Sequence, residues 1–78
     1  MKAKKARKTL LYPIHSIGDL AYRAKLDPQY KKLAMISASN LGGDAKDLTE
    51  SINWLSQTAL EISEAGVVEE INFCRDLV

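Results

Sequence analysis

The sequence predicts an all-α protein: an antiparallel helical hairpin with two shorter flanking helices, set behind a flexible basic N-terminal arm. Three observations lead there. Apolar side chains recur at steps of three and four residues from Ile17 to Ile62, the period of helices buried along one side. Ser16, Asp27 and Asp44 stand just before these stretches, where side chains that cap helix N-termini belong. Glycines 42, 43 and 66 fall at their ends, where a residue that tolerates left-handed geometry closes a helix.

Residues 1–9 hold Lys2, Lys4, Lys5, Arg7 and Lys8 and no large apolar side chain after Met1. Nothing in them offsets the entropy of ordering. This arm is expected to be flexible, serving solubility or touching phosphate or an acidic protein surface. Residues 10–78 form the single helical domain. Leu10, Leu11, Tyr12 and Ile14 surround Pro13 and read as an extended segment covering one edge of the core.

Ser16 with Asp19 three positions on gives a capping box for the first helix, whose inward face is Ile17, Leu20, Ala21 and Ala24. Pro28 disfavours helical geometry at Asp27, ending that helix, and then suits the first position of the second. The second helix is expected from Pro28 to about Asn40, with Tyr30, Leu33, Ala34, Ser37, Ala38 and Leu41 inward. Asp44 with Asp47 signals the third, whose stripe is Ala45, Leu48, Ile52, Leu55, Ala59 and Ile62 and whose end is Gly66. The tight connection between the second and third helices implies the hairpin. Val67, Val68, Ile71, Cys74 and Leu77 fit a short fourth helix, and a strand is the alternative for this β-branched tail.

A chain of 78 residues makes one domain that buries only about 60% of its unfolded surface. With one cysteine and no disulfide to supplement this core, self-association as a homodimer is the expected further source of stability. The lone cysteine suits a reducing compartment, so the protein is expected in the cytoplasm. No segment reaches the roughly 18 apolar residues of a membrane-spanning helix, and no membrane partner is expected. Charge is divided sharply: residues 1–39 hold nine Lys or Arg against two Asp, and residues 40–78 hold two against eight Asp or Glu. Such bipolarity suits a contact between basic and acidic halves, within one chain or between two.

No constellation for catalysis is visible, and no catalytic residue, metal site or cofactor is assigned. His15 and Cys74 are far apart and lack the spacing of a metal site. Arg75 and Asp76 beside Cys74 oppose each other, giving its thiol no activating field. Glu61, Glu64, Glu69 and Glu70 read as a solvated face. Partner-binding candidates are chosen by residue type: Trp54, at the edge of the third helix's stripe, Leu60 on a similar offset, and Tyr30. Tyr12, Arg23 and Lys25 are weighed as a site for a small anionic ligand.

The segment from Asp19 to Ile36, DLAYRAKLDPQYKKLAMI, resembles a helix-turn-helix. Leu20, Ala21 and Ala24 stand on its first helix, Leu26 in the turn, and Gln29, Lys31 and Lys32 on its second. Lys25 replaces the usual turn glycine and Lys31 a usual buried aliphatic residue. The resemblance implies DNA binding, with Lys4, Lys5, Arg7, Lys8, Gln29, Lys31 and Lys32 as nucleic-acid contacts. Residue chemistry alone favours a different expectation: a protein-interaction module that regulates or inhibits a target protein by occlusion or scaffolding. Compact non-catalytic chains of this kind occur among small regulators, including those that phages and mobile elements encode.

Overall fold

The computed structural model of the chain describes residues 11–78. The expected basic arm, with Lys4, Lys5, Arg7 and Lys8, lies outside the described residues. Four helices follow one another, α1 (Ile17–Leu26), α2 (Pro28–Asn40), α3 (Leu48–Glu61) and α4 (Glu64–Phe73), and a 3₁₀ turn (Cys74–Leu77) closes the chain. The described residues contain no strand, so the β-branched tail is helical.

Each boundary has a local cause. The Ser16 hydroxyl accepts from the Asp19 N–H at 3.0 Å and the Asp19 carboxylate accepts from the His15 N–H at 3.0 Å, a reciprocal pair that satisfies donors left free at a helix start. Asp27 closes α1 and caps α2, its carboxylate accepting from the Gln29 N–H at 2.9 Å. At the far end of α2 the Gly43 N–H reaches the Ala38 carbonyl at 2.8 Å and the Gly42 N–H the Ser39 carbonyl at 3.0 Å. This is the Schellman arrangement, which needs left-handed geometry at Gly42, where φ is +89°.

Two boundaries differ from the sequence reading. α3 begins three residues later than Asp44 and Asp47 suggest, because Asp47 itself is the cap: it accepts from the Glu50 N–H at 2.8 Å, and Glu50 accepts from the Lys46 N–H at 2.8 Å. Nor does α3 run to Gly66. The Ser63 hydroxyl accepts from the Gly66 N–H at 2.9 Å and starts α4, leaving Gly66 inside the first turn of the new helix.

α2 lies at the centre, touching every other helix and the 3₁₀ turn. Its inward face, Tyr30, Leu33, Ala34, Ser37 and Ala38, is buried, with Leu41 packed at the margin. Ile17, Leu20 and Ala24 of α1, Leu55 of α3, and Val67, Ile71 and Cys74 complete the core. The α3 stripe is buried only around Leu55; Leu48, Ile52 and Ala59 pack at its edge, and Ile62 is 57% exposed because the helix stops just before it. Ser51, outside the expected stripe, is fully buried with its hydroxyl donating to the Asp47 carbonyl at 2.8 Å.

The extended segment 11–16 is fastened by side chains from the C-terminal quarter. Asn72 brackets the Ile14 backbone, accepting from its N–H at 2.7 Å and donating to its carbonyl at 2.9 Å. The Arg75 guanidinium donates to the Leu11 carbonyl and the Glu64 carboxylate accepts from the Ile17 N–H at 3.1 Å. Leu11 and Ile14 thereby enter the core while Tyr12 points outward. None of the described helices is long and apolar enough to cross a membrane.

Candidate functional site

The capped entry to α1 and the clasped segment before it fix the walls of a groove of about 470 Å³, lined by Tyr12, Tyr22, Leu26, Gln29 and the edge of Tyr30, with Asp19, Arg23 and Asp27 among them. Tyr12, Tyr22 and Leu26 are 69%, 66% and 70% exposed. Tyr30 is the base of the structure here: its hydroxyl accepts from the Tyr12 N–H at 2.8 Å. The Arg23 guanidinium lies 5.9 Å from the ring centre of Tyr12 and 5.6 Å from that of Tyr30, within the range of cation–π attraction. Its Nε also donates to Asp19 at 3.0 Å, the only ion pair among the described residues. The His15 N–H, followed by the Arg23 guanidinium, holds the Asp19 carboxyl below the usual carboxylate range against the opposing effect of its partial burial.

No nucleophile stands beside a base in the groove, and its one arginine is already engaged by Asp19 and by aromatic rings. With Asp19 and Asp27 both on the wall, an anionic small molecule meets carboxylates, which disfavours the ligand weighed for Tyr12, Arg23 and Lys25. Among the described residues no three His, Cys, Asp or Glu converge to hold a metal ion. Cys74 is fully buried; burial, with the Glu70 carboxylate adding to it, raises its thiol above the usual range.

The three residues singled out as partner contacts do not share a surface. Tyr30 is 6% exposed and belongs to the core. Trp54 is 40% exposed, yet its indole N–H donates to the Leu41 carbonyl at 3.1 Å and its ring lies directly over Gly43. It seals the connection between α2 and α3. Leu60 is 82% exposed, but six residues on from Trp54 it stands about 120° away around the helix.

Gln29, Lys31 and Lys32 are all exposed on the first half of α2. The helix-turn-helix likeness weakens around them. Only Asp27 separates α1 from α2, where that motif has a turn of about three or four residues, and Leu26 ends α1 facing solvent rather than filling a turn. Lys31 and Lys32 instead border a second depression, of about 590 Å³, along the outer face of α2 with Met35, Ile36 and Ala45.

Neither Tyr22 nor Leu26 is a binding candidate in the sequence reading, where Tyr12 enters only for a small anionic ligand. A signal for the first two existed. Tyr22 and Leu26 are one helical turn apart on the side of α1 opposite Ile17, Leu20 and Ala24, and large apolar residues at that spacing on a polar face form a patch. Comparison with protein-family models, with curated proteins and with solved structures returns no match to this chain.

Proposed function

We propose that this protein is a non-catalytic interaction module of the cytoplasm that regulates or inhibits a target protein by occupying its surface, and that it works as a homodimer. The observation that carries the reading is the convergence of Tyr12, Tyr22 and Leu26, each about two-thirds exposed, on one groove that also holds Arg23. Tyrosine and arginine are enriched among the few residues that dominate binding energy. These are also preordered: the Tyr12 backbone is held by the Tyr30 hydroxyl and its ring lies against the Arg23 guanidinium, which Asp19 holds in turn, so less side-chain entropy is lost when a partner arrives. The two carboxylates on the wall favour a protein surface over a phosphate backbone.

The test is quantitative capture from the native cell with tagged wild-type protein and with a Tyr22→Ala/Leu26→Ala variant, each with and without nuclease. Both side chains are exposed, so the variant should keep its helical signal and melting temperature. The expected result is a protein partner that survives nuclease and is lost by the variant, with each side chain contributing about 2 kcal/mol, roughly thirtyfold in affinity. Disappearance of all bound material on nuclease treatment would favour DNA binding through Gln29, Lys31 and Lys32. Full retention of the partner by the variant would also overturn the assignment.

A further inference from the structure

We propose that the outer face of α2 is an interface for a second copy of this chain, which covers it with the acidic outer face of α4. The inference rests on the self-association included in the functional reading and gives it a surface distinct from the tyrosine groove. On α2, Pro28, Lys31, Lys32, Met35, Ile36 and Ser39 follow at steps of three and four. They form a stripe about 17 Å long, with Met35 and Ile36 half-buried in the floor of the 590 Å³ depression and the two lysines at one end. On α4 and the turn after it, Ala65, Val68, Glu69, Phe73 and Asp76 follow at the same spacing, and Phe73 is 72% exposed.

The fold leaves both stripes in need of a counterpart. Arg23 with Asp19 is the only ion pair among the described residues, so Lys31 and Lys32 meet no counter-charge there, and neither do Glu69 and Asp76. The basic and acidic halves that the sequence separates are therefore not neutralised against each other within the described fold. Lys32 and Ile36 are four residues apart, as are Glu69 and Phe73. With the helices parallel, one register sets Lys32 against Glu69 while Phe73 enters the depression beside Ile36 and Met35, whose thioether packs well on an aromatic ring. A parallel pairing of α2 with α2 would oppose lysines, and an antiparallel one would set them against the uncharged end at Ser39 and Asn40, so the face that offers them counter-charge is that of α4. One helix-on-helix contact is small beside the roughly 800 Å² per partner of a standard interface. Each chain carries both stripes, and a two-fold dimer in which both contacts formed would double the area. The association is consequently weak, salt-sensitive and concentration-dependent.

Sedimentation equilibrium of the purified full chain, from micromolar to near-millimolar concentration at low and high salt, tests this without any target present. The wild type should move from monomer towards dimer mass as concentration rises, and less so at high salt. Lys31→Glu/Lys32→Glu and Glu69→Lys/Asp76→Lys should each raise the dissociation constant at least tenfold with the melting curve preserved. An equimolar mixture of the two should associate again, because each reversed face then meets its opposite. Phe73→Ser should weaken dimerisation without changing charge. Monomer mass at every concentration would overturn the proposal. So would wild-type association by either charge-reversed variant, a mixture that stays monomeric, or dimerisation abolished only by deleting residues 1–9. A monomeric result would remove the homodimer from the functional reading but leaves target capture through Tyr22 and Leu26 untouched, and loss of capture leaves the mass measurement untouched, so the two surfaces fail separately.

Discussion

Replacing Gly43 by alanine should destabilise the fold through Trp54, and only through Trp54. A Cβ built on Gly43 falls 2.8 Å from indole Cγ and Cδ1 and 2.9 Å from Cδ2, about 0.6 Å inside the 3.4 Å at which ordinary contact begins. The ring must shift, and the shift stretches the 3.1 Å hydrogen bond from its N–H to the Leu41 carbonyl. Overpacking of this kind costs about 1–3 kcal/mol and a lost hydrogen bond about 0.5–1.5 kcal/mol. Trp54 is 40% exposed and can yield outward, which puts the penalty at the lower end, about 1–2 kcal/mol. Gly42, not Gly43, carries the positive φ, so alanine at 43 should also gain about 0.4–1 kcal/mol by restricting the unfolded chain. The net expectation is a loss of about 0–1.6 kcal/mol, lowering the melting temperature by up to roughly 13 °C. In a Trp54→Ala background the same change should be neutral or stabilising. Urea unfolding of the four proteins, followed by circular dichroism, gives the coupling energy directly. A coupling within about 0.5 kcal/mol of zero would show that Trp54 does not close the α2–α3 connection and would return it to the list of free contact residues.

Leu55→Ala should cost about 2–5 kcal/mol, since Leu55 is fully buried, whereas Ile62→Ala should cost under about 1 kcal/mol at a site that is 57% exposed; equal losses in urea unfolding would refute the placement of the α3 stripe. Cys74, with its thiol raised by burial, should resist a thiol-specific chromophoric reagent in the native protein and react at a rate that tracks unfolding in urea; rapid native labelling would contradict its place in the core. The lowered pKa of Asp19 contributes stability that is present above the unfolded value of about 3.9 and is lost as pH falls through the lower folded value. Melting temperature followed from neutral pH down to about 2 should therefore show a shallower acid limb in Asp19→Asn than in wild type, and parallel curves would dismiss the His15–Asp19–Arg23 network as a source of stability.

α1 and α2 were legible because their determinants are local. Ser16, Asp27 and Pro28 act within three residues of themselves, and the buried faces of both helices follow one period from end to end. The break between α3 and α4 was not legible for the converse reason. Apolar residues continue in phase through Ile62, and Gly66 is the visible stop, yet the stop is set earlier by a hydroxyl at Ser63 that prefers to cap the next helix. Serine competes with helix continuation in this way without altering the hydrophobic pattern. The same applies at Asp44 and Asp47: both are capping residues, and only the glutamate three places after Asp47 decides between them.

The candidate surface was less legible, because helical period says which side of a helix meets the core and nothing about what covers its flanks. Trp54 and Tyr30 were chosen for residue type, and each turns out to be covered by a segment distant in sequence, the Leu41–Gly43 turn over Trp54 and the strand-like Leu11–Ile14 stretch over Tyr30. That stretch is positioned by Asn72 and Arg75, about sixty residues away, so no local pattern could announce that it buries Tyr30 and presents Tyr12 in its place. The exchange has a functional consequence that can be checked. If Asn72 positions Tyr12, then Asn72→Ala should weaken target capture even though Asn72 itself lies outside the groove, and Tyr12→Ala in the same background should add little further loss. Additive losses would mean that Tyr12 finds its place without the clasp, and that the groove is set by α1 and α2 alone.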